Sequence, residues 1–338
     1  MSSQGGTTFI LGAGASLHAG YPFVASMGAH LFEWMRRPRE AIFFDFAECA
    51  DALEERFGNN IENVLKGIDA EIKRGGHDRP IFANFYRPAL VEAMRQWFAE
   101  IHRQHAAPAY ERFATEVVKP GDRIITFNYD VSLDSRLCRS GKWCVGDGYG
   151  FTVEGLPCGS VVSILKLHGS INWLALLFRG MTGMFANPGG VFGSRPAFCD
   201  SDLSALGYIG ITDTLFPRQG SAAIPPLILP TSRKRFYFQT NLGREWDSFW
   251  ARLWRKARRA VLDSTRIIVC GYGMQPIDRR GCNLLLRGPL EPHVEVCCGA
   301  DSSRIVQQLR THGRRARLAP QLFFEDWVSA QPQRQTNV

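Results

Sequence analysis

The chain has 338 residues, 45% hydrophobic and 21% charged, too apolar for a disordered polypeptide and long enough for two domains or one large domain with an insertion. Forty Lys and Arg against 32 Asp and Glu leave a formal charge of +8, which suits an acidic partner without requiring one. No run approaches the ~18 uninterrupted apolar residues of a membrane span, and residues 1–8 lack the basic start and apolar core of a signal peptide, so a soluble, cytoplasmic protein is expected.

Thr7-Thr8-Phe9-Ile10-Leu11 is a short apolar run of strand type that ends abruptly in Gly12-Ala13-Gly14-Ala15-Ser16. From 29 to 118 the period turns helical. Leu31, Trp34 and Met35 share a face, as do Ile61, Val64, Leu65 and Ile68, and Phe85, Leu90, Met94, Trp97, Phe98 and Ile101 continue the pattern toward Pro108. Gly75-Gly76 and Pro80 mark a loop inside this block. Strand character returns at 123–127, 161–167, 226–229, 266–270 and 293–297. Several of these runs are apolar on both faces, as strands buried in a parallel sheet are. Between them, 174–224 is rich in Gly, Pro, Ser and Phe without a steady period and reads as a lid or substrate loop. Trp246, Phe249, Trp250, Leu253, Ala257 and Val261 form one stripe of a long helix. The expected architecture is α/β: a Rossmann-like, mostly parallel sheet in a core of 1–28 and 119–330, a helical insertion at 29–118, and a flexible tail at 331–338.

Four of the candidate strands run at their carboxyl ends into Gly or small polar residues: Gly12 to Ser16, Asn128-Tyr129-Asp130, His168-Gly169-Ser170, and Gly271-Tyr272-Gly273. In open α/β sheets ligands bind beyond those ends, so the four predict one cleft with a Gly-rich floor. Gly-x-Gly before a helix lets backbone amides approach a diphosphate. The dinucleotide fingerprint wants a third Gly where Leu17 stands, and the acidic residue near the expected distance, Glu33, follows no second strand. An ordinary hydride-transferring dehydrogenase is disfavoured, and a tight turn without a ligand explains the glycines equally well. A His after an apolar strand is commonly a satisfied core residue and an Asn there a turn former. Beside a phosphate loop the pair suits work on a sugar, His168 taking a proton and Asn128 holding the oxygen in line. Asp130 either shares the cleft or caps the next helix.

Nine cysteines, an odd number, contain no C-x-x-C pair, so neither a disulfide framework nor a structural zinc site is expected. Cys144 and Cys158, across a Gly-rich loop, read as ordinary thiols. Arg252, Arg255, Lys256, Arg258 and Arg259 flank the apolar stripe of the long helix, and Arg310, Arg314, Arg315 and Arg317 add charge near the C-terminus. These suit either a solvated or protein-binding face or contact with nucleic acid. Pro230-Thr231-Ser232-Arg233-Lys234-Arg235 is a basic loop placed to close over phosphates or to turn at the surface.

Taken together the motifs resemble those of the sirtuins. Gly12-Ala13-Gly14-Ala15-Ser16 followed by Ala19-Gly20-Tyr21-Pro22 resembles their opening NAD-binding motif, and Thr126-Phe127-Asn128-Tyr129-Asp130 is similar to their Thr-Gln-Asn-Ile-Asp. Lys166-Leu167-His168-Gly169-Ser170 resembles the segment carrying their catalytic His, and Gly271-Tyr272-Gly273 their late turn near the adenosine. The zinc module of the protein-deacylating members has no counterpart here, and Pro22 is followed by Phe23-Val24-Ala25 where they carry Asp-Phe-Arg. The helical block, Tyr129, and Ser170-Ile171-Asn172-Trp173 are more similar to the sirtuin-like NAD hydrolase domains of bacterial antiphage defence. That resemblance implies NAD+ as substrate and no metal, with Asn128, His168 and Asp130 catalytic. Gly12, Ala13, Gly14, Ser16, Gly20, Tyr21, Pro22, Ser170, Gly271, Tyr272 and Gly273 would bind the dinucleotide. It further implies a toxic abortive-infection effector, activated by self-assembly into a homo-oligomer or by a sensor protein of ATPase or Argonaute type, with nucleic acid engaged through that partner or a basic surface. A protein deacylase sharing the NAD cleavage, and a non-catalytic NAD or ADP-ribose sensor, are the alternatives.

Overall fold

The computed structural model describes residues 6–38, 45–75, 78, 81–152, 158–176, 197–198, 223–224, 227 and 243–332. Among the described residues nine strands follow in chain order: β1 Thr7–Leu11, β2 Arg123–Thr126, β3 Ser163–Lys166, β4 Trp173–Leu176, β5 Ala197–Phe198, β6 Ala223–Ile224, β7 Arg266–Cys270, β8 His293–Cys297 and β9 Ala316–Leu318. The chain divides into two compact units. The first comprises Met1–Tyr21, His105–His168 and Trp250–Val338, the second Pro22–Gln104 and Gly169–Phe249.

The first unit holds a six-stranded sheet in the order β3-β2-β1-β7-β8-β9, every neighbouring pair parallel. Within the sheet this is the doubly wound order of a Rossmann fold, with the direction of winding reversing between β1 and β7. Register is flush at that point: Leu11 lies opposite both Thr126 and Cys270, so the turns after β1, β2 and β7 leave the sheet at one level. The strands form because their apolar runs are buried on both faces; Ile10, Leu11, Ile124, Ile125, Ile164, Ile267, Val269, Val294 and Val296 are all buried. The helix Gly243–Leu262 turns Trp250, Leu253, Trp254, Ala257, Ala260 and Val261 inward. Its Arg252, Arg255, Lys256, Arg258 and Arg259 are exposed, and Lys256 donates to the Gly150 carbonyl. Arg314 departs from the expected surface charge. It is 2% exposed, its guanidinium lies over Gly288, where a Cβ would come within 2.8 Å, and burial pushes its pKa down.

The second unit packs the helices Val24–Met35, Phe46–Phe57, Ile61–Arg74 and Arg87–Gln104 around Leu31, Phe32, Trp34, Leu53, Val64, Leu65, Ile68, Leu90 and Met94. Side-chain caps set the starts of the second and third: Asp45 accepts from the Glu48 amide, and Asn60 from those of Glu62 and Asn63. Two buried ion pairs, Arg87–Asp69 at 2.7 Å and Arg95–Glu92 at 2.5 Å, fix the long helix. The unit also contains a small antiparallel sheet, β5-β4-β6. This sheet, and β9 in the first unit, were not foreseen. Outside β4, β5, β6 and Leu227, the expected lid at 174–224 and strand at 226–229 lie outside the described residues, as does the basic loop at 230–235. No helix among the described residues is long and apolar enough to cross a membrane.

Candidate functional site

The site begins where the winding reverses. The amide of Gly12 donates to the Cys270 carbonyl and that of Gly14 to the Gly271 carbonyl, both at 3.0 Å, so the turns after β1 and β7 are clasped backbone to backbone. A Cβ on Gly14 would stand 2.8 Å from the Gly271 Cα, and one on Gly12 2.6 Å from the Gly271 carbonyl oxygen. Gly271 has φ +63, and a Cβ there would stand 2.2 Å from the Ala15 nitrogen. Close approach of the two loops therefore requires glycine at these positions. Directly after the clasp the chain enters a short 3-10 helix, Ala13–Ala19, ended by Gly20.

The turn after β2 is tied into the same place. Gly12 offers its carbonyl oxygen only as an acceptor, so the Asn128 side chain must present its nitrogen there; Nδ2 donates to that oxygen and to Ser16 Oγ, both at 2.9 Å. The other amide atom, Oδ1, takes no hydrogen bond from the described residues. Ser16 is also bonded to the Tyr110 hydroxyl and donates to Asp130 Oδ2, each at 2.8 Å. Asp130 Oδ1 accepts from the Ser132 amide at 3.1 Å, where the helix Ser132–Arg139 begins. Burial pushes the Asp130 carboxyl up, and the nearby Lys166 charge pulls it back down. Lys166 is fully buried; its Nζ donates to the Asp130 carbonyl and sits 3.2 Å from Asp134 Oδ1, which Tyr149 meets with its hydroxyl at 2.6 Å. Tyr21 lies in this layer, its hydroxyl 3.2 Å from Ser132 Oγ.

His168 leaves β3 one strand further out. Its ring stands edge-on to Phe127, with centroids 5.0 Å apart, and 6.5 Å from the ring of Tyr129. Its Nε2 is 3.7 Å from Asp278 Oδ1, beyond hydrogen-bond length but close enough for charge to be felt. Asp278 Oδ2 in turn accepts the Tyr272 hydroxyl at 2.8 Å, and Tyr272 stacks on Phe127 at 4.2 Å with ring planes 16° apart.

Gly12, Ala13, Gly14, Ser16, Gly20, Tyr21, Asn128, Asp130, His168, Gly271, Tyr272 and Gly273 thus belong to the first unit, while Pro22 and Ser170 belong to the second, where Ser170 donates to Asn172 at 2.5 Å. Gly273 lies beside Asp301, and Arg304 donates to its carbonyl at 2.5 Å. Sequence reasoning missed Tyr110, Phe127, Lys166, Asp134 and Asp278. The available signal for Asp278 was an Asp three residues before Gly281 at a helix start, an N-cap pattern that says nothing of His168. Among the described residues no group of three or more His, Cys, Asp or Glu side chains could hold a metal ion. Cys144 is half-buried and Cys158 exposed.

No family model matches the chain, and no curated protein does. Solved structures that it resembles include Sir2Tm bound to a propionylated peptide, at a TM-score of 0.42 and 12% identity over 96% of this chain and 90% of that one. A structure described for sirtuin substrate affinity gives 0.37 and 14% over 86% and 81%. A Sir2 homologue mutant in complex with ADP-ribose gives 0.38 and 14% over 90% and 91%.

Proposed function

We propose that the chain hydrolyses NAD+ to nicotinamide and ADP-ribose. The observation that carries this reading is the gathering of the Gly12–Gly271 clasp, Asn128 and the His168–Asp278 contact at the carboxyl ends of adjoining parallel strands in one compact unit. That edge, at a reversal of winding, is where such sheets take nucleotides. The amides of Gly12, Gly14 and Ala15 are spent inside the turn, so this reading assigns the diphosphate to the Ala13 amide at the head of the 3-10 helix, with the glycines granting close approach. Gly20 and Tyr21 are assigned to the same ligand, and Tyr272 and Gly273 to its adenosine end.

In the reaction the bond from ribose C1′ to the pyridinium nitrogen breaks and its electron pair leaves with nicotinamide, which becomes neutral. Positive charge builds on the ribose, a water oxygen bonds to C1′, and the proton it loses passes to His168. Because the departing group is already cationic, the protein's main work is placing water and holding charge. Asn128, its nitrogen committed to Gly12 and Ser16, offers Oδ1 to the water or a ribose hydroxyl. Asp130, bonded at both oxygens, supports the ribose pocket by fixing Ser16 and the start of the following helix.

The test is purified protein with NAD+, followed for both products. His168→Ala and Asn128→Ala should each lower the rate ~100- to 10,000-fold with unchanged circular dichroism; wild-type rates in either remove that residue from the mechanism. The motif resemblance also supports the finer reading of an antiphage effector switched on by a sensor partner or by assembly. NAD+ loss that requires the neighbouring gene product or a higher oligomer is expected, and full activity in dilute monomer refutes it.

A further inference from the structure

The turn after β7 does more than clasp the first glycine turn. Gly271 at φ +63 and the buried Met274 at φ +45 bend it back on itself, and a non-glycine residue in the left-handed region persists only where its surroundings enforce it. The bend brings Tyr272 onto Asp278. Both oxygens of that buried carboxylate are held: Oδ2 by the Tyr272 hydroxyl at 2.8 Å, Oδ1 by the Gly281 amide at 3.3 Å. Oδ1 is also the atom 3.7 Å from His168 Nε2. Tyr272 is fixed by its stack on Phe127, which meets the His168 ring edge-on. Three side chains from two strand ends thus bear on one imidazole at a third.

We propose that Asp278 is a positioning residue for His168: it keeps Nε2–H turned to its carboxylate, leaves Nδ1 as the atom that receives the proton, and steadies the imidazolium that results. A neutral imidazole has one donor and one acceptor nitrogen, so fixing the donor selects the acceptor. Among the described residues, the groups packed against the ring include Phe127 and Tyr129 from the β2 turn and Asp278, with Tyr272 bonded to it, from the β7 turn. Lys166, on the strand leading to His168, is engaged by Asp134 and the Asp130 carbonyl. The competing account is that Asp278 only caps the helix Arg279–Leu286.

Asp278→Asn separates the two accounts, because Asn caps a helix as well as Asp but carries no charge. This inference rests on the NAD-cleaving reading for its kinetic arm alone; the other arm is an NMR titration of the His168 ring, assigned with His168→Gln. A neighbouring carboxylate favours the imidazolium, so in Asp278→Asn the ring should titrate lower by about one pH unit or more. Kinetically, the pKa limiting kcat/KM on the acid side should move down with the ring, and kcat should fall at least ~10-fold on the plateau. An unchanged His168 titration in Asp278→Asn overturns the proposal, as does a pH profile that stays in place. A shifted ring in a protein that never cleaves NAD+ upholds the His168–Asp278 pair and sinks the hydrolase reading instead.

Discussion

Replacing Gly271 by Ala tests the clasp between the β1 and β7 turns. The added methyl meets two separate obstacles. Gly271 sits at φ +63, a conformation that costs an L-residue about 1–2 kcal/mol. The new carbon would also stand 2.2 Å from the Ala15 nitrogen and 2.5 Å from the Gly14 carbonyl carbon. Those are backbone atoms, and the hydrogen bond from Gly14 to the Gly271 carbonyl holds them in place, so relief requires the two turns to part. Overpacking of that kind costs about 1–3 kcal/mol. The sum, about 2–5 kcal/mol, is a large share of the ~5–15 kcal/mol that a folded protein has. Gly141 supplies the control: its φ is +71, yet a methyl there meets nothing within 4 Å. Gly141→Ala should therefore lose only the strain, about 1–2 kcal/mol. Urea unfolding followed by circular dichroism measures both variants, and Gly271→Ala should unfold at clearly lower urea than Gly141→Ala. Equal losses in the two would mean that the turns are not clasped as described.

His18 and Lys166 give two further tests of the same layer. Burial lowers the His18 pKa from 6.5 to about 4, and its ring lies 4.7 Å from that of Tyr110 and 5.8 Å from that of Phe324. The unfolded chain then binds a proton more readily than the folded one, so the contribution is intact above pH 6.5 and is lost as pH falls toward about 4. His18→Phe should lessen the drop in unfolding midpoint between about pH 7 and about pH 5; the same drop in both proteins would show that His18 is not held neutral. Lys166→Met strands the buried Asp134 carboxylate and should cost about 3–5 kcal/mol, most of it recovered by adding Asp134→Leu, whereas a double variant no better than the single would mean that the pair is not coupled.

The strand ends were legible in the sequence because each lies at an abrupt change from an apolar run to Gly or a small polar residue, a local signal. Gly12, Asn128, His168 and Gly271 were all found that way, and their common level follows from the flush register of β1 with β2 and β7. The strand order was not legible, since nothing in the run Arg266–Cys270 says that it pairs with β1, more than 250 positions away. The limits of periodicity show at Tyr110 as well. It falls in the helical block read as an insertion, yet it belongs to the sheet unit and bonds to Ser16, 94 positions earlier.

The glycines show a subtler limit, because one pattern served two causes. Gly-x-Gly after a strand is as much the mark of a turn that another turn must touch as of one that a phosphate must touch, and only the partner loop tells them apart. Here the partner is the β7 turn, and it consumes the amides that a phosphate would otherwise want. The same pairing, through Tyr272, puts Asp278 beside His168, a relation among three chain segments that no single-segment motif contains. A nucleotide resting on this edge would thus lie against a surface whose shape depends on the clasp. The clasp and the His168–Asp278 pair share the β7 turn between Gly271 and Asp278, so opening the first should disturb the second even though no substituted atom touches the imidazole.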